Sequence, residues 1–261
     1  MCFDTETDTL PIKIKKNNQV IDDFSNVNLQ QISYILFDSN DINTIIKKYS
    51  SYVNYLSPLD ILHFKENPIT HITLEQLQSG KPITEILDDF YNDIKDVNII
   101  IAHNAHFDIT LMKSLAIRNR HFKLVNILKN ILVFDTMKIG GSQGLNIINR
   151  PYIKLEELYD KIKTINKDTS ITSTITKHEA LDDTLHCYYC FKYLLKHLGY
   201  CRLLYNNQMK YYKDIYDSHD INFIKSCELY NQFNIKKVFI MYCSLKTGIY
   251  DNSFIDYIGT E

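Results

Sequence analysis

Residues 97–104, VNIIIAHN, constrain the fold more than any other stretch of the chain. An unbroken apolar run closed by His103 and Asn104 suits a strand buried on both faces, which occurs where helices cover both sides of a sheet. The flanking residues supply such helices. After Pro82, Ile83, Ile86, Leu87, Phe90, Tyr91 and Ile94 recur at spacings of three and four, the pattern of an amphipathic helix packing on a sheet. HFDITLMKSLAIRNR predicts a further helix that begins near Asp108, and ILVFDTM predicts a strand over Ile131–Met137.

Other strands are expected at residues 1–4, at Gln31–Phe37 and near Tyr52–Leu56, with KIKKNNQ as a polar loop and Pro58 and Pro68 in another. Helices are expected at Leu155–Ile162 and Ala180–Leu198, separated by a Thr- and Ser-rich loop. The alternation indicates an α/β domain with a central mixed sheet flanked by helices. Gly199 ends the last helix, and the composition changes after it. Residues 199–261 hold nine of the 19 tyrosines and balance seven bases against seven acids. The predicted division is a domain over 1–198 and a Tyr-rich C-terminal extension over 199–261, with a helix and a β-hairpin.

Six scattered cysteines and an N-terminus without a basic flank or long apolar run fit a soluble, intracellular protein with reduced thiols. No stretch has the length to span a bilayer. The heavy use of Ile, Asn, Lys and Tyr suits an AT-rich genome, such as a viral one. A net charge of -2 argues against a strongly basic nucleic-acid wrapper. With four acids set aside as metal ligands, however, 27 acids remain against 29 bases, and the rest of the chain is slightly positive.

Asp4 and Glu6 stand two apart at the end of the first strand, so both side chains face one way. Two carboxylates on one face repel unless a cation joins them, and hard divalent ions take such oxygen ligands. Taken alone, D-x-E also describes a solvated strand end. Asp108, just past the central strand, can face the same crevice beyond the carboxyl ends of the strands; as an acid in a first helical turn it also complements the helix dipole. His178 and Asp183 are five residues apart, about 140° on a helix. Both can reach one point only if His178 precedes the helix, and a local pair between His178 and Asp182 is the competing reading.

Together, FDTET at Phe3–Thr7, HNAHFD at His103–Asp108 and HEALDD around His178 and Asp183 resemble the DEDDh exonuclease family, which is DnaQ-like and includes the proofreading epsilon subunit of bacterial replicases. The resemblance covers about residues 1–198. It implies a ribonuclease H-like fold and a 3′–5′ exonuclease that releases nucleoside monophosphates from the 3′ end of single-stranded or 3′-terminal nucleic acid. It further implies two divalent ions, Mg²⁺ or Mn²⁺, held by Asp4, Glu6, Asp108 and Asp183, with His178 as general base for the attacking water. Thr7, Leu10 and Asn104 match family positions that grip the terminal nucleotide.

The chain departs from the family at two places. Where T-T-G-L is common, Thr7, Asp8, Thr9 and Leu10 stand here, so a turn is made without glycine. In the I-T-G-I-T stretch the glycine position is His71, close to where the terminal base should lie; an exposed loop histidine is the other reading. Cys187 and Cys190 form a C-x-x-C on a helix without a second pair, which is poor support for zinc. The expected substrate is DNA, in proofreading or repair. An exoribonuclease or oligoribonuclease is the alternative within the same chemistry, and a catalytically silent nucleic-acid-binding module is the alternative outside it.

Overall fold

The computed structural model describes residues 1–16, 19–38, 41–54, 56–140, 153–166 and 179–194. Its strands are β1 (Cys2–Thr7), β2 (Ile12–Lys16), β3 (Gln19–Asp23), β4 (Leu29–Phe37), β5 (Ile45–Asn54), β6 (Lys81–Pro82), β7 (Ile99–Ala102) and β8 (Leu132–Asp135). The helices are α1 (Pro58–His63), α2 (Leu74–Ser79), α3 (Ile83–Ile94), α4 (Ala105–Arg118), α5 (Phe122–Asn130), α6 (Thr136–Gly140), α7 (Leu155–Asn166) and α8 over residues 180–194. Six strands form one sheet in the order β6-β5-β4-β1-β7-β8. β4 is antiparallel to β1 and β5, whereas β1, β7 and β8 pair in parallel. This is the expected central mixed sheet flanked by helices.

β7 is buried along its whole length, as its unbroken apolar run requires. On one face Phe3, Tyr34 and Ile100 join a core with Ile86, Leu87, Phe90 and Ile94 of α3 and with Leu111, Met112 and Leu115 of α4. Burying each such side chain stabilises the fold by roughly 1.5–3 kcal/mol. On the other face lies α8: the Thr184 hydroxyl donates to Ser33 O at 3.2 Å, and Phe191 packs its ring against Phe37 and Phe134. Cys2 and Cys187 are buried free thiols between these layers, with Cys187 Sγ 3.5 Å from the Thr136 hydroxyl, whereas the free thiol Cys190 is buried in a cluster with Leu158 and Ile162 of α7. The C-x-x-C pair is therefore helix packing.

The structure corrects several expected boundaries. KIKKNNQ is no loop: most of it lies in β2 and β3, which pair with each other as a separate two-stranded sheet. Its lysines masked the alternation because both faces of this hairpin meet solvent. β1 runs on to Thr7, and the strand expected near Tyr52–Leu56 is β5, which begins at Ile45. α4 begins at Ala105, so Asp108 lies within its first turn and not at its start. α1 occupies part of the Pro58 loop, and α2 and α5 were not foreseen. At the end of α2, a Cβ on Gly80 would come within 2.6 Å of the Tyr52 backbone, so only glycine lets this helix approach β5. The C-terminal extension over 199–261 lies outside the described residues. Among the described residues no helix is long and apolar enough to cross a membrane.

Candidate active site

The period of two along β1 sorts its residues onto two helices. Asp4 and Glu6 face α8, where oxygens of Asp4, Glu6 and Asp183 lie within 4.8 Å of one another. Between them Thr5 faces α4, and its hydroxyl donates to Asp108 Oδ1 at 2.6 Å. Asp108 is thus brought to the same strand end from the opposite face. It stands outside the tight trio but close enough to raise the pKa of Asp4 and of Glu6.

The electrostatics of this cluster are strained. Burial, then the charges of Asp108, Asp183 and Glu6, push the Asp4 carboxyl well above the usual carboxylate range. Burial and the charges of Asp183 and Asp108 raise Glu6 to about 8. Asp108 is raised to about 7, mainly by burial, against the Thr5 hydrogen bond that favours its ionised form. Carboxylates gathered this closely are costly to ionise together. Hard oxygen donors in this number suit a divalent cation such as Mg²⁺ or Mn²⁺, and the group fits one.

The second motif is shaped by backbone geometry. Asn104 caps α4 in a left-handed conformation at φ 67°, which asparagine tolerates better than most residues. Its N–H donates to Asp135 Oδ1 at 3.0 Å, and the same oxygen accepts the N–H of Met137 at 3.1 Å. His103 donates from Nε2 to Ile153 O at 2.9 Å, leaving Nδ1 3.0 Å from the Thr136 hydroxyl as an acceptor. Burial lowers its pKa to about 4, so it is a neutral clamp between β7 and the chain entering α7.

The remaining expected positions lie at the rim. Thr7 is buried, and its hydroxyl donates to Thr9 O at 3.0 Å. Asp8 accepts from the backbone and the side chain of Asn28, both at 2.9 Å. These bonds make the turn where the family has glycine, and Thr9 does so without a positive φ. Leu10 is 72% exposed. His71 has φ 53°, so the residue at the family's glycine position does occupy the left-handed region that favours glycine. Asn67 Nδ2 donates to Thr7 O at 3.5 Å and holds this loop near β1. His178 lies outside the described residues, and α8 begins at residue 180.

Sequence reasoning missed Thr5, Asp135 and His186. Thr5 was hidden as the x of D-x-E, although period two already placed it opposite its neighbours. His186 is buried beside Asp183, its Nδ1 3.9 Å from Asp183 Oδ1. A cavity of about 480 Å³ lies elsewhere, at the other end of β1 by Met1, Phe37, Val97 and Phe191, and none of the four acids lines it.

Residues 2–191 match the RNase T family of exonucleases, and the chain belongs to this DnaQ-like exonuclease family. A DNA polymerase III of the PolC type from Thermotoga maritima is 26% identical over 177 residues, 64% of this chain. The chain spans only 11% of that relative's length. Among solved structures, a full-length 3′-exonuclease gives a TM-score of 0.49 at 14% identity, over 75% of this chain and 80% of that one. Exonuclease X in complex with 5′-overhanging duplex DNA gives 0.41 at 14% identity, over 77% and 95%.

Proposed function

We propose that the chain is a divalent-metal-dependent 3′–5′ exonuclease that hydrolyses the terminal phosphodiester of DNA and releases nucleoside monophosphates. The observation that carries this reading is the convergence of Asp4, Glu6 and Asp183 within 4.8 Å at the carboxyl end of β1, with Asp108 tied to the same strand through Thr5. Exonuclease family membership supports the reaction, and the relative that is a DNA polymerase supports DNA as the polymer. Residues 1–198 would form the exonuclease domain.

Two divalent ions held by Asp4, Glu6, Asp183 and Asp108 would supply an activated water and neutralise charge at the phosphate. The chain's own groups do the rest. Thr5 orients Asp108 and keeps one of its oxygens occupied. His178, assigned from the third motif, would accept the proton of the attacking water. Thr7 offers backbone and Leu10 an exposed apolar side chain to the terminal nucleotide, while Asn104 and His71 approach it from the loops that open α4 and α2.

The test uses 5′-labelled single-stranded and duplex DNA and RNA with Mg²⁺, Mn²⁺ or EDTA. A ladder shortening from the 3′ end of DNA, only with metal, is expected. Faster shortening of RNA would transfer the activity to the exoribonuclease class. Absence of metal-dependent cleavage on every substrate would leave a silent binding module.

A further inference from the structure

The β2–β3 hairpin is anchored at its base, and its side chains at residues 12–15 and 20–22 are exposed. It departs from β1 shortly after Glu6 and returns before β4, and the Asp8–Asn28 bonds close its neck. On the return side Phe24 is buried with its ring 5.3 Å from that of Phe107, the neighbour of Asp108. The Ser114 hydroxyl donates to Phe24 O at 3.2 Å, and Arg118 donates to Ser25 O and Val27 O. The neck is thus fastened to the strand that carries Glu6 and to the helix that carries Asp108.

Beyond the neck no other described element packs over the hairpin, and its described side chains are exposed. Ile12, Ile14 and Ile21 share one face, at 59%, 38% and 39% exposure; Lys13 and Lys15 share the other with Val20, itself 67% exposed. Asp22 stands across from Lys13, whereas Lys15 faces Val20 and has no acid opposite it on the ladder. A lone two-stranded hairpin is marginal in water, and displaying four large aliphatic side chains adds no stability. Such a blade is explained by a ligand. The hairpin's neck closes at Asp8, two residues past Glu6, so a polymer whose end sits at Asp4 and Glu6 is the candidate ligand.

We propose that the hairpin is an arm that binds the nucleic-acid strand leading to the cleaved 3′ end. Lys13 and Lys15 meet its phosphates, and the isoleucine face meets its sugars and bases. Five residues per strand give the arm a reach of about 17 Å, the span of about five phosphates along one strand of a duplex at roughly 3.4 Å each. Phosphate contacts position a polymer without reading its sequence. The arm would therefore set substrate length preference and affinity and leave the bond-breaking step alone. It rests on the exonuclease reading for the polymer's presence.

The experiment compares the wild type with a Lys13→Glu, Lys15→Glu double variant. Binding of a 5′-labelled 15-nucleotide DNA is read by anisotropy with Ca²⁺, and hydrolysis with Mg²⁺ is read on that DNA and on thymidine 5′-monophosphate p-nitrophenyl ester, which is too short to touch the arm. The expected result is binding about tenfold weaker at ~0.1 M salt, with the slope of log affinity against log salt shallower by about 1.4. Hydrolysis of the ester should be unchanged. Equal affinity and salt slope in the two proteins would overturn the proposal. So would an equal loss on DNA and ester, which marks damage to the site, or a change from dimer to monomer with DNA affinity intact, which marks the blade as an interface between copies. Failure of the wild type to hydrolyse either substrate would sink the exonuclease reading, while the anisotropy still decides the arm.

Discussion

The two faces of β1 are built on opposite terms although their residues alternate along six positions. Phe3 lies fully buried with its ring 5.6 Å from that of Phe90, and this contact with its neighbours stabilises the fold. Asp4 and Glu6, on the other face, share a small volume with Asp183, and the charges of Asp183 and Asp108 help to raise the pKa of both. One face holds the sheet to α3; the other holds charge that the fold would be more stable without. Stability and chemistry are therefore separable within a single strand, and substitutions of adjacent residues should have opposite signs.

The largest effect is expected at Asp4. Asp4→Asn keeps the shape and removes one charge, so hydrolysis should fall by about a thousandfold or more, roughly 4 kcal/mol in the barrier. In EDTA the same variant should melt at a higher temperature than the wild type, because asparagine needs neither a buried charge nor the proton uptake by which the raised Asp4 carboxyl avoids one. A lower melting point would break the contrast between the faces. The counterpart is Phe90→Ala on the apolar side. It should cost about 3–5 kcal/mol in urea unfolding, while hydrolysis per folded molecule stays near the wild-type rate; a fall in rate as large as that of Asp4→Asn would show the two faces to be one unit.

Protons and cations compete for the polar face. Glu6 at about 8 and Asp108 at about 7 both lie above their unfolded values of 4.5 and 3.8. A raised folded pKa means stability that is full below the unfolded value and is lost as pH rises through the folded one. Without metal these two groups therefore cost stability progressively as pH rises from about 4, and the loss is complete only above about 8. Cations bind the ionised form, so the rise in melting temperature on adding Mn²⁺ should be small at pH 6 and larger at pH 8.5. Taking the difference between scans with Mn²⁺ and with EDTA cancels remote groups such as His103. A metal-induced shift that is flat across this range would mean that the cations bind elsewhere.

Much of this contrast was legible in the sequence, and the reasons are specific. The unbroken run at β7 and the spacing in α3 come from burial, which dictates residue type directly. Asp4 and Glu6 follow from strand period, and Asp183 from its place on a helix that His178 must precede. Thr5 escaped notice because its importance lies in a partner 103 residues away, and nothing local announces it. The β2–β3 hairpin was hidden for the reverse reason. Exposed on both faces, it shows no alternation between buried and solvent-facing residues, and period two is visible only where one face is covered.

His71 offers the smallest and most discriminating effect, because it separates backbone from side chain at the rim of the polar face. Its φ of 53° costs a non-glycine residue about 1–2 kcal/mol. Glycine would remove that strain but lose roughly 0.5–1 kcal/mol through the unfolded chain's greater freedom. The exposed contact with Glu66 at 3.3 Å adds little. His71→Gly should thus raise the melting temperature by about 1–3 °C. If the imidazole also touches the terminal base, KM for the nucleotide ester should rise about threefold, the worth of one weak hydrogen bond, with kcat unchanged. A higher melting point with an unaltered KM would make His71 a turn residue alone and would leave recognition of the terminal nucleotide to Thr7, Leu10 and Asn104.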